Sequence, residues 1–378
     1  MPRKRVLKIG LIGYKFMGKA HSNAWRQAPR FFDLGAEVEL KTICGRDEAA
    51  VRRAAKQLGW SQSATEWQQV VNDPDIDIVD ICTPNDSHCQ IALAAAKAGK
   101  AILCEKPLAR SVAEAERMTA AVKKARVPNM VCHNYRRIPA IALARQMVER
   151  GEIGDRIFHC RARYAQDWLA DPKFPLVWRL QENSAGSGAL GDIFSHIVDL
   201  SRYLVGELAE ICATTETFVR QRPQPGTRQV GRVTVDDAVT AIGQFRSGAL
   251  FSLEATRFAP GRKNSMVLEI NGSGGSLYFD FEEMNRLRFF SNRDPETRQG
   301  FRDIIVTQPG HPYIKSWWPP GHVIGYEHTF VHTMADFVRA VVRNKRLEPD
   351  FADALRTQRV LDAVARSAHK QRWIAITT

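Results

Sequence analysis

The sequence predicts an α/β protein of two domains. Residues 1–135 should form a parallel sheet covered by helices, and residues 136–378 an α+β domain with a large, mostly antiparallel sheet. Three observations carry this expectation. The chain has 378 residues, beyond the size at which one hydrophobic core keeps growing. Its first third alternates short apolar runs with helical patterns, as strands buried on both faces and covered by helices require. After that, strand-like stretches follow one another with few helices between them.

In order, 6–13 reads as a strand and 16–27 as a helix, then 38–44 as a strand and 48–58 as a helix stopped by Gly59. A buried strand at 76–83 precedes a helix at 87–98, and another strand at 101–105 follows. Ser111 and Glu114 make a capping box for a helix through Lys124. The last strand of this unit is 129–135. A helix at 139–150 has Pro139 in its first turn and Gly151 beyond its end. Strands are then expected at 157–164, 211–219, 234–246, 249–256, 266–272 and 276–280, with helices at 189–204, 327–343 and 352–367. The stretch 220–232, rich in Arg, Gln and Pro, reads as an exposed loop. No internal repeat is visible.

Hydrophobic residues make up 44% and charged residues 25%, which excludes a disordered or fibrous chain. The net charge of +13 is scattered, with local clusters only at Arg3-Lys4-Arg5 and around 220–232. It therefore reads as a solvated surface suited to anionic small molecules, with no nucleic-acid recognition motif. Seven cysteines show neither CxxC pairs nor zinc-like spacing, so no metal site is expected. Their odd count and apolar settings point to reduced thiols in the cytoplasm. No apolar run reaches the roughly 18 residues of a membrane span, and the basic N-terminus lacks a signal-peptide pattern.

Between the first strand and helix stands Gly13-Tyr14-Lys15-Phe16-Met17-Gly18. A glycine turn there lets backbone N–H groups and a helix N-terminus face a pyrophosphate, so a dinucleotide site is expected. The pattern is incomplete, because Lys15 stands where a second glycine would let the backbone approach the phosphates. The second strand ends in Gly45-Arg46-Asp47, where an acid for the ribose hydroxyls is usual. Its absence beside an arginine leans from NAD toward NADP. Arg46 stacked on adenine, or Asp47 on the ribose, are the alternatives.

Glu105-Lys106-Pro107 leaves a buried strand at the sheet's carboxyl edge, where open α/β folds bind ligands. Thr83-Pro84-Asn85 leaves another. Farther on, Asp192 and His196 stand four residues apart and should share one helix face. Singly, each has a structural explanation: a first-turn acid, a hydrogen-bonded histidine, a solvated strand-end lysine.

Together these segments resemble the glucose–fructose oxidoreductase and inositol 2-dehydrogenase (Gfo/Idh/MocA) family over almost the whole chain. The resemblance is carried by the glycine turn, by EKP at Glu105 to Pro107 and by GDIFSHIVDL at Gly191 to Leu200. The nearest branch is that of levoglucosan dehydrogenase and related sugar 3-dehydrogenases. Its likeness rests on FMGKAHS (from Phe16), NYRR (from Asn134), QDW (from Gln166), Trp178-Arg179, AGSGALGD (from Ala185), EATR (from Glu254) and HPY (from His311).

The resemblance implies an N-terminal Rossmann domain, a C-terminal sheet domain that supports homodimers or homotetramers, and NAD(P)-dependent oxidation of a sugar hydroxyl, at C3 by its branch. Lys106, Asp192 and His196 would be catalytic. Gly13, Lys15, Phe16, Met17, Gly18, Arg46, Thr83, Pro84, Asn85, His88, Glu105, Lys106, Asn134, Trp178 and Arg179 would contact the cofactor. Tyr135, Trp168 and Trp178 offer flat faces to a sugar ring, while Arg137, Arg163 and Gln166 offer hydrogen bonds. Tyr326 is a further substrate candidate. The chemistry suits these residue types: a histidine as general base, an ammonium beside a developing alkoxide and a carboxylate holding hydroxyls. An NADPH-dependent keto-sugar reductase, an inositol dehydrogenase and a sugar-sensing regulator on the same fold are the competing readings.

Overall fold

The computed structural model describes residues 5–377; Arg3 and Lys4 of the N-terminal basic cluster lie outside them. The chain forms two compact units. The first comprises residues up to Arg137 together with Gly325–Leu355, and the second Ile138–Ile324 together with the residues from Arg356 onward.

In the first unit the elements run β1 (Val6–Ile12), α1 (Phe16–Phe31), β2 (Glu37–Cys44), α2 (Glu48–Leu58), β3 (Gln62–Ala64), α3 (Trp67–Asn72) and β4 (Ile78–Ile81). They continue with α4 (His88–Lys97), β5 (Ala101–Cys104), α5 (Val112–Ala125) and β6 (Asn129–Val131). The strands make one parallel sheet in the order β3-β2-β1-β4-β5-β6, the doubly wound arrangement that reverses direction between β1 and β4. β4 and β5 are buried along their whole length, which is why their sequences read as unbroken apolar runs. The short β3 and α3 carried no such run and were not expected.

The second unit holds α6 (Pro139–Glu149), β7 (Ile157–Ala165), the short α7 (Glu182–Ala185), α8 (Ser195–Leu204), β8 (Leu208–Glu216), β9 (Gln221–Pro223) and β10 (Val230–Arg232). Then come β11 (Ala238–Phe245), β12 (Leu250–Thr256), β13 (Ser265–Gly272), β14 (Gly275–Asp280), β15 (Arg286–Ser291) and β16 (Arg302–Ile305). Helix α9 (Tyr326–Arg343) belongs to the first unit, where it packs on α1. Helix α10 (Phe351–Lys370) starts in the first unit and ends in the second, followed by β17 (Ile374–Ala375).

Nine of these strands form one sheet, ordered β16-β15-β14-β13-β7-β12-β11-β8-β17. Every neighbouring pair is antiparallel except β7 and β12. β11 and β12 alternate buried and solvent-facing residues, as a sheet with one covered face requires.

Two expectations are corrected. Residues 220–232 are not simply an exposed loop: β9 and β10 pair as an antiparallel hairpin. Arg222 within it is fully buried and donates to the carbonyls of Leu169, Asp171 and Phe174. The helix expected over 189–204 is not uniform either, for Leu190–Phe194 is a π-helical turn that leads into α8. Such wide turns recur at functional sites.

Candidate functional site

The turn after β1 needs its glycines. Gly13 has φ +105°, and a Cβ there would lie 2.5 Å from the Cys82 carbonyl oxygen. A Cβ on Gly18 would lie 1.9 Å from the Gly13 carbonyl oxygen, so α1 can approach the turn this closely only with glycine. Lys15 is the residue before α1, is exposed, and makes no side-chain cap. The first turn of α1 contains no acid. A helix N-terminus with free donors, no carboxylate and a nearby ammonium fits the pyrophosphate of a dinucleotide.

At the end of β2 the absence of an acid has a packing cause. A Cβ on Gly45 would sit 2.1 Å from the Tyr14 ring, so the position is glycine because the ring covers it. Asp47 caps α2, accepting from the Ala50 amide at 2.9 Å through one carboxylate oxygen. Arg46 is exposed.

The strand ends that carry Thr83 and Lys106 are tied together by His88. Its fully buried ring lies 3.0 Å from the Thr83 carbonyl oxygen and 3.1 Å from that of Pro107. His88 was expected at the cofactor; both its nitrogens face backbone carbonyls, so it pins the two strand ends. Ser87 adds a hydroxyl contact of 2.6 Å to Thr83. Glu105 is likewise committed inward, to the His21 ring at 2.9 Å and the Lys106 amide at 3.1 Å. Lys106 is half-buried.

Asn134 donates to the Thr329 hydroxyl at 2.8 Å, and Tyr135 beside it is buried. Arg137 was expected to bind substrate. It is buried, with Asp336 at 3.0 Å and the Glu348 carbonyl oxygen at 3.1 Å, and so clamps its own unit. Tyr326 opens α9, half-buried, its ring edge-on to Phe330 with centroids 5.1 Å apart. Burial, with the nearby Tyr135 and Glu105 charges, pushes its phenol above the ordinary range.

In the second unit the π turn carries Asp192, and the first turn of α8 carries His196. Its base is held by Asp236, whose carboxylate accepts from the Gly188 and Leu190 amides at 2.7 Å each. Gly188 is required there, since a Cβ would meet the Asp236 carbonyl oxygen at 1.7 Å. Burial raises the Asp236 carboxyl's affinity for a proton, against the opposing pull of the two amides. Asp192 pairs with Arg257 at 2.7 Å. Arg257 is 1% exposed, also donates to the Gly188 carbonyl, and lies 5.3 Å from the centre of the Trp168 ring. His196 is buried and packs tilted against Tyr164, with centroids 5.9 Å apart.

A polar chain continues from there. Tyr164 and Gln166 both donate to the Asn264 side-chain oxygen at 2.7 Å, and the Trp168 indole donates to Gln166 at 2.9 Å. Thus Gln166, Trp168, Asp192 and His196 are brought into one connected neighbourhood. Arg163 is not: on β7 it is exposed on the face opposite Tyr164, because neighbouring strand residues point to opposite sides. Trp178 and Arg179 stand on a short turn, the guanidinium 4.4 Å over the indole.

Arg257, Asp236 and Asn264 were missed as site residues. Arg257 lay inside a matched stretch without a role. Asp236-Asp237, two acids at the mouth of an apolar strand, was a legible signal. Asn264 left none.

Comparison with known proteins agrees with both units. Residues 7–133 match the model of an oxidoreductase family with an NAD-binding Rossmann fold, and residues 141–278 match the GFO/IDH/MocA C-terminal domain. The levoglucosan dehydrogenase of Pseudarthrobacter phenanthrenivorans is 42% identical over 98% of each chain. A solved oxidoreductase domain protein from Kribbella flavida superposes with TM-score 0.96 at 54% identity, covering 99% of this chain and 100% of its own. A levoglucosan dehydrogenase solved with NADH and levoglucosan gives TM-score 0.96 at 43% identity, with the same coverage. With family models matched in both units and a relative 42% identical over 98% of each chain, the chain belongs to the Gfo/Idh/MocA oxidoreductase family.

Proposed function

We propose that the protein oxidises a secondary hydroxyl, at C3, of a neutral anhydrosugar or related pyranose, with a nicotinamide dinucleotide as electron acceptor. The observation that carries this reading is the presence of Lys106, Asp192 and His196 together in a chain similar throughout to a levoglucosan dehydrogenase. Gly13, Gly18 and the start of α1 would hold the pyrophosphate, and the nicotinamide would supply the two-electron acceptor. His196 takes the proton from the reacting hydroxyl oxygen. The Lys106 ammonium stabilises the negative charge that grows on that oxygen. Asp192, oriented by Arg257, accepts hydrogen bonds from sugar hydroxyls, and Trp168 offers its flat face to the ring. Gln166 extends the polar wall through Trp168 and Asn264.

The test is a panel of free sugars, anhydrosugars, glycosides and inositols with each cofactor, read at the nicotinamide absorbance band. Turnover should be fastest with an anhydrosugar such as levoglucosan, the product being the 3-keto compound. Turnover with inositols alone would contradict the reading.

A second reading, a keto-sugar reductase using NADPH, is favoured by the exposed Arg46 beside a residue too crowded to be an acid. Arg46→Ala should then weaken NADPH at least tenfold more than NADH, since one charge-assisted contact contributes about 1.5–3 kcal/mol. Equal losses in a fluorescence titration would assign Arg46 to the adenine and remove the NADPH preference.

A further inference from the structure

Behind Lys106, in the first unit, lies a buried charged cluster that the oxidation does not explain. His21 comes from α1, Asp80 from β4, and Glu105 from the residue after β5. The His21 ring is fully buried. Its Nδ1 is 2.9 Å from one Asp80 oxygen and 3.0 Å from the other, and its Nε2 is 2.9 Å from Glu105 Oε1. The Trp25 indole donates to Asp80 Oδ2 at 2.7 Å. Cys132 Sγ lies 3.6 Å from His21 Nε2.

A neutral imidazole has one N–H. It can donate to one of these carboxylates, but then presents a lone pair to the other. In a dry interior that second contact is repulsive unless a proton is placed there. The imidazolium satisfies both, because each nitrogen then donates. A cation between two anions leaves one net negative charge, and the Lys106 ammonium is the next residue along. The other Glu105 oxygen, Oε2, accepts the Lys106 backbone amide at 3.1 Å. The contacts therefore form one chain: Asp80, His21, Glu105, Lys106 backbone.

We propose that His21 is a positioning residue for Lys106: as an imidazolium clamped between Asp80 and Glu105, it fixes the carboxylate that holds the Lys106 backbone. His21 stays on the proton-bearing side throughout turnover and touches no reactant. Replacing it leaves two carboxylates facing each other, so Glu105 turns or takes up a proton and its hold on the Lys106 amide loosens. The proposal rests on the reading of Lys106 as the charge stabiliser, and its test separates the two.

The first measurement needs no variant. In protein labelled with ¹⁵N-histidine, the His21 ring is identified through its proximity to Trp25 and to Phe330, whose ring centroid is 5.4 Å away. Both ring nitrogens should carry protons at pH 8, above the ordinary histidine range of about 6.5. A single ring N–H at pH 7 would overturn the proposal. The second measurement compares His21→Gln with Lys106→Ala. His21→Gln should lower kcat by about 10- to 100-fold, with KM and NADH affinity changed less than threefold. Full kcat in His21→Gln alongside a slow Lys106→Ala overturns the positioning role alone. Full kcat in Lys106→Ala overturns the reading beneath it, whatever His21 shows.

Discussion

At the residue scale, the site is decided by what holds each functional group. Asp192 is the clearest case, because its partner Arg257 is 1% exposed while Asp192 itself is partly open. Removing one member of such a pair leaves an uncompensated charge and costs about 3–5 kcal/mol. Arg257→Met should therefore destabilise the second unit by about 3 kcal/mol in denaturant unfolding, and lower turnover through a misdirected Asp192. Unchanged stability would mean that the attraction within the pair is offset by the cost of burying Arg257. The same scale shows what a sequence can mislead about. Gly45 looked like a missing acid but is a consequence of the Tyr14 ring. His88 and Arg137 looked like ligands but bond inward. Residue type announces a capability, and only the neighbours decide where it is used.

At the element scale, the helices and strands of the first unit were largely legible, because buried parallel strands write unbroken apolar runs and their helices carry capping signals. The edge strands β3 and β16, and β15 next to the edge, lacked that contrast and were missed. The π turn at Leu190–Phe194 was read as ordinary helix, since the extra residue per turn leaves the apolar pattern intact over five residues. Helix α9 was legible as a helix, while its membership of the first unit was not. Its place in the first unit is reinforced by His332, fully buried, whose Nδ1 donates to the Arg137 carbonyl at 2.9 Å. Burial lowers the His332 pKa to about 3, against about 6.5 in the unfolded chain. As pH falls below 6.5, the unfolded state binds a proton that the folded state refuses. Stability from this group is therefore complete above pH 6.5 and is lost toward pH 3, at about 1.4 kcal/mol per pH unit. His21 runs the other way. Burial disfavours its charge, but Asp80, Cys82 and Cys132 outweigh that and leave its pKa well above normal. Its contribution is complete below about pH 6.5 and is lost as pH rises from there through that raised value. Unfolding of His332→Gln should show a shallower acid loss than the unmodified protein. An identical acid slope would place the sensitive group elsewhere.

At the scale of the whole molecule, length and the change from alternating to strand-dominated patterning announced two domains. The chain's return to the first unit at Gly325–Leu355 was hidden, because a helix pattern does not say which sheet it covers. All seven cysteines are free thiols, and no helix among the described residues is long and apolar enough to cross a membrane. The proposed activity assigns the chemistry to three side chains: Lys106, Asp192 and His196. Single-turnover transfer from levoglucosan to the nicotinamide, in Lys106→Ala and His196→Ala beside the unmodified protein, tests that claim most directly. Both variants should slow transfer by about 100-fold or more, the scale of a lost charge stabiliser or general base, with NADH affinity and thermal stability retained. Near-normal transfer in His196→Ala across the pH range would contradict the account, leaving that histidine as packing for Tyr164 and the base still to be found.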